Sequence, residues 1–137
     1  MKPFIYQMRV PFYDVDSMRV VYHGNYTKYF EEARCAYFEA LGLTYNDMEA
    51  HGFLLPVISL NIKYMRSCVF GQTLNIEVVR EQNDNLIVLH YTIRDAETGE
   101  RCCKGTTRHA AIDAETKALF FELPEAFISR LKAGEAQ

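Results

Sequence analysis

The segment Asp16-Ser17-Met18-Arg19-Val20-Val21-Tyr22-His23-Gly24-Asn25 is where the chain changes period. Before it, Phe4, Tyr6, Met8, Val10 and Phe12 fall on alternate positions, the two-residue repeat of a strand covered on one face. After it, Tyr22, Tyr26, Tyr29, Phe30, Ala33, Tyr37, Ala40 and Leu41 recur at three- and four-residue intervals. That spacing predicts a long helix buried along one side, with Lys28, Glu31, Glu32, Arg34 and Glu39 largely off the buried face. An acid at this junction sits close to the helix start, where unpaired backbone N–H groups favour developing negative charge. A carboxylate there can attack a carbonyl or activate water while those N–H groups hold the oxygen. Without other information, such an acid is more often a helix cap or a solvated turn residue.

Beyond the helix, Gly42 is placed to end it in a left-handed cap, and Thr44 or Asn46 to open a short second helix. The period then returns to two. Ile58, Leu60, Ile62 and Tyr64 alternate with Ser59, Asn61 and Lys63, and Leu74, Ile76 and Val78 repeat the pattern. Both segments read as strands with one covered face. The turn Asn83-Asp84-Asn85 leads to a strand over Leu86 to Ile93, and Glu97-Thr98-Gly99-Glu100 to another over Lys104 to Ile112. Ala118-Leu119-Phe120-Phe121 is expected as a final edge strand, and Pro124 as the opening of a C-terminal helix. One long helix followed by a run of antiparallel strands is an α+β arrangement in which a curved sheet must cover the helix.

The residues around the junction resemble a known signature. Tyr13-Asp14-Val15-Asp16, then Val20-Val21-Tyr22-His23-Gly24-Asn25-Tyr26, then Tyr29-Phe30-Glu31-Glu32-Ala33-Arg34 resemble the N-terminal signature of hot-dog-fold acyl-CoA thioesterases. The nearest resemblance is to the 4-hydroxybenzoyl-CoA thioesterase family, including its Tol-Pal-associated short-chain members. It implies the hot-dog fold, a long central helix wrapped by a curved antiparallel sheet, and subunits that pair into a homodimer or homotetramer. Further, it implies that Asp16, the second acid of the first segment, is the catalytic carboxylate, and that Asp14 supports the turn. The backbone N–H at His23 would point at the thioester oxygen, Gly24 would allow close approach, and the His23 side chain would assist or shape the pocket. Tyr22, Gly24, Asn25, Tyr26 and Arg66 are the candidate substrate-binding residues. Tyr22 and Tyr26 have a plainer reading as core aromatics, and Asn25 as a hydrogen-bonding residue of the junction. Two positions depart from the signature: Arg19 stands where glycine is usual, and Val15 where threonine is frequent.

The expected activity is hydrolysis of an acyl-CoA to free acid and CoA, with Asp16 as nucleophile or general base. The alternative is a hot-dog protein that binds an acyl thioester as a sensor without cleaving it. Acyl carrier protein presents the same thioester and remains a possible carrier. For the CoA phosphates, Lys63, Arg66, Arg80, Lys104 and Arg108 are available, each explained equally well by a solvated strand face. In some relatives the turn between the two middle strands is basic, whereas Gln82-Asn83-Asp84-Asn85 stands there in this chain.

The bulk properties agree with this reading. With 137 residues, 49% of them hydrophobic, the chain is expected to form one domain over residues 1–137. It contains no apolar run of membrane-spanning length and no signal-peptide layout at its start, so a cytoplasmic protein without membrane insertion is expected. A net charge of −3, with acids and bases interspersed, gives no cationic field for nucleic acid. Cys35, Cys68, Cys102 and Cys103 form no metal-binding pair, and His51, His90 and His109 lack metal spacing. No metal or cofactor is expected. Cys35 and His23 lie twelve positions apart, over three helical turns or roughly 18 Å, too far to act together as nucleophile and base.

Overall fold

A computed structural model describes residues 2–83 and 85–136, so Asp84 of the predicted Asn83-Asp84-Asn85 turn lies outside the described residues. Strand β1 (Phe4–Arg9) leads through a 3-10 turn at Phe12–Asp14 into α1 (Asn25–Ala40) and α2 (Tyr45–Ala50). There follow β2 (Phe53–Leu54), β3 (Val57–Tyr64), β4 (Thr73–Glu81), β5 (Ile87–Asp95), β6 (Arg101–His109), β7 (Ile112–Asp113) and α3 (Glu125–Glu135). The main sheet is antiparallel throughout, in the order β1-β4-β5-β6-β3, and β2 pairs with β7 beside it.

The helix lies on the sheet through aromatic side chains. Tyr26, Tyr29, Phe30, Ala33, Tyr37 and Phe38 are buried, and the Phe30 ring stacks on Tyr91 of β5 with centroids 4.6 Å apart. Gly105 of β6 makes this approach possible, because a Cβ there would lie 2.4 Å from the Phe30 ring. From the sheet side, Leu74, Ile76 and Val78 of β4 and Leu89 and Ile93 of β5 close the core. Gly42 ends the helix at φ +71°, with the Gly42 N–H donating to Glu39 O and the Leu43 N–H to Phe38 O, as its position predicts. Thr44 caps α2 in a reciprocal box with Asp47, and Pro124 precedes α3. Among the described residues no helix is long and apolar enough to cross a membrane.

Five expectations need correction. The helix begins at Asn25 rather than Tyr22, and the Tyr22 ring is half exposed. Phe12 does not continue the covered face of β1: it sits in the 3-10 turn, largely exposed, edge-on to Phe70. Arg34, expected off the buried face, is buried, with Nε donating to Tyr45 Oη and Nη1 to Tyr91 Oη. In β3, the face bearing Ile58, Leu60 and Tyr64 is exposed, because β3 is an edge strand and α1 packs closest to β4 and β1, toward the opposite edge of the sheet. Finally, Ala118–Phe121 forms no strand, only a bridge between Leu119 and Ile112. The hairpin is short: the Asp113 N–H donates to Ala118 O and the Phe120 N–H to Ala111 O, while the two-residue β7 also pairs with β2.

Candidate active site

Between the end of β1 and the start of α1 the chain makes a narrow hairpin. Val15 bridges Val21, the Asp16 N–H donates to Val20 O, and the Arg19 N–H donates back to Asp16 O. A second segment clips onto it: Val20 bridges Val69, the Val21 N–H donates to Cys68 O, and the Cys68 N–H donates to Tyr26 Oη. Tyr64, at the end of β3, donates its hydroxyl to the His23 carbonyl at 3.1 Å and packs against Tyr26. These three pieces surround a cleft of about 310 Å3 lined by Asp16, Met18, Val20, Val21, His23, Tyr26, Tyr64, Met65, Arg66 and Ser67.

The two acids of the junction are held differently. Asp14 is buried, its carboxylate receiving hydrogen bonds from Lys28 Nζ at 2.6 Å and Tyr29 Oη at 2.7 Å. Its carbonyl accepts from the Tyr22 N–H and from Asn25 Nδ2. Burial, reinforced by the Asp14 charge, pushes the Tyr29 hydroxyl well above the usual tyrosine range, so it stays a proton donor to that carboxylate. Asp14 thus ties the 3-10 turn to α1. Asp16 is exposed at the cleft: Oδ1 accepts the Met18 N–H at 2.8 Å, and Oδ2 has no hydrogen-bond partner among the described residues.

The seven sequence-derived site residues divide into two groups. Asp16, His23, Tyr26 and Arg66 line the cleft. Tyr22, Gly24 and Asn25 flank it: Tyr22 packs its ring on His23, and Asn25 spends its side-chain amide on the Asp14 carbonyl. Gly24 caps α1 with ordinary helical φ and ψ, and a Cβ there would come 2.7 Å from the Tyr22 ring. Among the described residues, the His23 and Gly24 N–H groups meet no protein acceptor, so they remain available at the positive end of the helix dipole. Nothing in the sequence marks Tyr64, Met65 and Ser67 as site residues. The alternation ending at Tyr64 marks a strand terminus, but only the fold brings that terminus beside the hairpin.

A cysteine nucleophile has no support in this geometry. Cys68 and Cys103 are buried, and burial pushes each thiol up to about 12, while desolvation raises Cys35 and Cys102 as well. Thiolates, the reactive form, are therefore scarce near neutrality. Among the described residues no group of three or more His, Cys, Asp or Glu side chains is placed to hold a metal ion.

Known proteins share both the sequence and the fold. Residues 10–131 match the family described as the thioesterase-like superfamily. The Bacillus subtilis protein YneP, named provisionally as an acyl-CoA thioesterase, is 33% identical over 111 residues, covering 80% of each chain. A Synechocystis protein named provisionally as an esterase is 34% identical over 130 residues, covering 90% of this chain and 75% of its own. Among solved structures, the DHNA-CoA thioesterase from Staphylococcus aureus superposes with a TM-score of 0.88 at 29% identity, over 99% of this chain and 93% of the other. A 1,4-dihydroxy-2-naphthoyl-CoA thioesterase from Synechocystis gives a TM-score of 0.87 at 20% identity, over 96% of each chain, a likeness of fold. The antiparallel sheet carrying one long helix is the hot-dog fold, and this chain belongs to the thioesterase-like superfamily.

Proposed function

We propose that the protein is an acyl-CoA thioesterase of the 4-hydroxybenzoyl-CoA thioesterase type, short-chain Tol-Pal-associated members included, with Asp16 as its catalytic carboxylate. The observation that carries this reading is the cleft in which Asp16, with one oxygen free of partners among the described residues, faces the start of α1. The names of the Bacillus subtilis relative and of the Staphylococcus aureus structure supply the substrate class.

In this reading the thioester carbonyl lies between Asp16 and the His23 and Gly24 N–H groups. Those donors and the helix dipole favour the oxyanion that develops as the carbonyl is attacked. Asp16 Oδ2 either attacks the carbonyl carbon or takes a proton from the water that does. By the first route the C–S bond breaks to release the CoA thiolate, which takes a proton from solvent, and water then opens the acyl-aspartyl anhydride. By the second, hydroxide adds directly and the thiolate leaves. A thiolate departs readily, so stabilising the oxyanion and delivering oxygen are the main demands on the protein. Tyr64, half exposed at the cleft, presents aromatic surface to the acyl group, with Tyr26 buried behind it.

The test is release of free thiol from a panel of short aliphatic and aromatic acyl-CoAs. Asp16→Asn is expected to lower turnover by about 100-fold or more, the range of a lost general base or nucleophile. The asparagine oxygen still accepts the Met18 N–H, so the melting temperature should hold. Full activity in Asp16→Asn would remove Asp16 from the mechanism. Tight binding of acyl-CoA with no turnover across the panel would make the protein a non-catalytic acyl-thioester sensor instead.

A further inference from the structure

The sheet has a second concave feature on the face turned away from α1. Gly105 and Ile62 stand opposite each other across β6 and β3, and Gly105 meets Phe30 of the helix, so their neighbours Lys104 and Lys63 project from the other side. These two lysines are direct cross-strand partners. Like charges in that position repel, which costs stability unless an anion lies between them. Arg101 lines the same groove, which has a volume of about 660 Å3.

The acids near this face have other partners. Glu77 pairs with Arg94, Glu81 with His90, and Glu100 with Arg66. Among the described residues, Lys63, Lys104 and Arg101 form no ion pair. Asn61 and Thr106, also cross-strand partners, add neutral hydrogen-bonding groups to the groove. Met65 lines both this groove and the Asp16 cleft, so the two are neighbours. Of the five cations considered for phosphate binding, Arg80 is buried and paired with Glu135, and Arg66 is paired with Glu100.

We propose that the Lys63–Lys104–Arg101 groove holds the phosphate-bearing nucleotide end of coenzyme A while its thioester lies at Asp16. The pantetheine arm then passes Met65 from one face to the other. The assignment rests on the thioesterase reading and deepens it by placing the carrier. Phosphates of the nucleotide relieve the repulsion of the lysine pair and receive charge-assisted hydrogen bonds from it.

The experiment compares wild type with Lys63→Gln/Lys104→Gln on two substrates with one acyl group: the acyl-CoA, and the acyl-pantetheine that lacks every phosphate. The double substitution is expected to raise KM for the acyl-CoA about tenfold and to weaken the rise of that KM with salt. KM for the acyl-pantetheine should move by less than about twofold, a split that a general structural defect would not produce. Calorimetry of CoA itself should show the same loss of roughly tenfold in affinity. Equal KM values for acyl-CoA in the two proteins, or equal shifts on both substrates, would overturn the proposal. If wild type cleaves no thioester, the thioesterase reading fails, and the CoA titration of the two proteins still decides whether the groove binds the nucleotide.

Discussion

Arg19 shows what one residue does to the catalytic hairpin. Its φ is +68°, in the left-handed region that disfavours any residue with a Cβ. The Asp16–Arg19 turn, whose last residue is the left-handed one, closes the hairpin, and that geometry accounts for the glycine usual at this position in the resembling family. Arg19→Gly is therefore expected to stabilise the protein by about 0.5–1 kcal/mol, the strain relieved less the extra freedom of glycine in the unfolded chain. Thermal denaturation should register this as a rise of a few degrees, and an unchanged or lower melting temperature would contradict it. In the sequence Arg19 is only a departure from the usual glycine; its backbone conformation is what gives the departure a physical meaning. The pair Asp14 and Asp16 teaches the same lesson. Sequence spacing marks both as junction acids, but only coordinates show one locked to Lys28 and Tyr29 and the other open to a cleft.

At the scale of elements, a buried polar chain ties α1 and α2 to the sheet. Arg34 of α1 donates to Tyr45 of α2 and Tyr91 of β5; Tyr91 Oη meets Thr107 Oγ1 of β6 at 2.8 Å, and Thr107 meets His109 Nε2 at 2.9 Å. His109 Nδ1 reaches the Leu55 carbonyl. Burial, aided by repulsion from Arg34, pushes the His109 imidazole down from 6.5 to about 4. Between those values the unfolded chain takes up a proton that the folded protein does not. The neutral imidazole's contribution is thus complete above pH 6.5 and is lost as the pH falls toward 4. The loss is of order 3 kcal/mol. Urea denaturation at pH 7.5 and 4.5 should show wild type losing about that much more than His109→Gln, whose side chain does not titrate; equal losses would refute the assignment. The helix periodicity made α1 legible, yet it placed Arg34 on the wrong side. A cation is normally a surface residue, and the tyrosine hydroxyls that receive it come from other elements, the next helix and a strand far along the chain.

For the whole molecule, the exposed apolar face of β3 matters most. Ile58, Leu60 and Tyr64 alternate as a buried strand should, yet each is more than 40% exposed in the single chain. Their pattern is satisfied if a second copy covers them, in keeping with the pairing that the family resemblance implies. The protein is expected to sediment as a dimer or tetramer at micromolar concentration, and Leu60→Lys to shift it toward the monomer. A wild-type monomer under those conditions would refute the pairing. Period and punctuation in the sequence determined the α+β class, the course of α1, most of the strands and the identity of the junction acids. Those features depend on neighbours within one turn or one pleat, and a linear pattern records them. Tertiary structure alone decided that β3 ends at the hairpin, that Tyr64 and Ser67 join Asp16, and that Lys63 faces Lys104. Such meetings depend on strand register and sheet order, which arise from the packing of residues far apart in the chain.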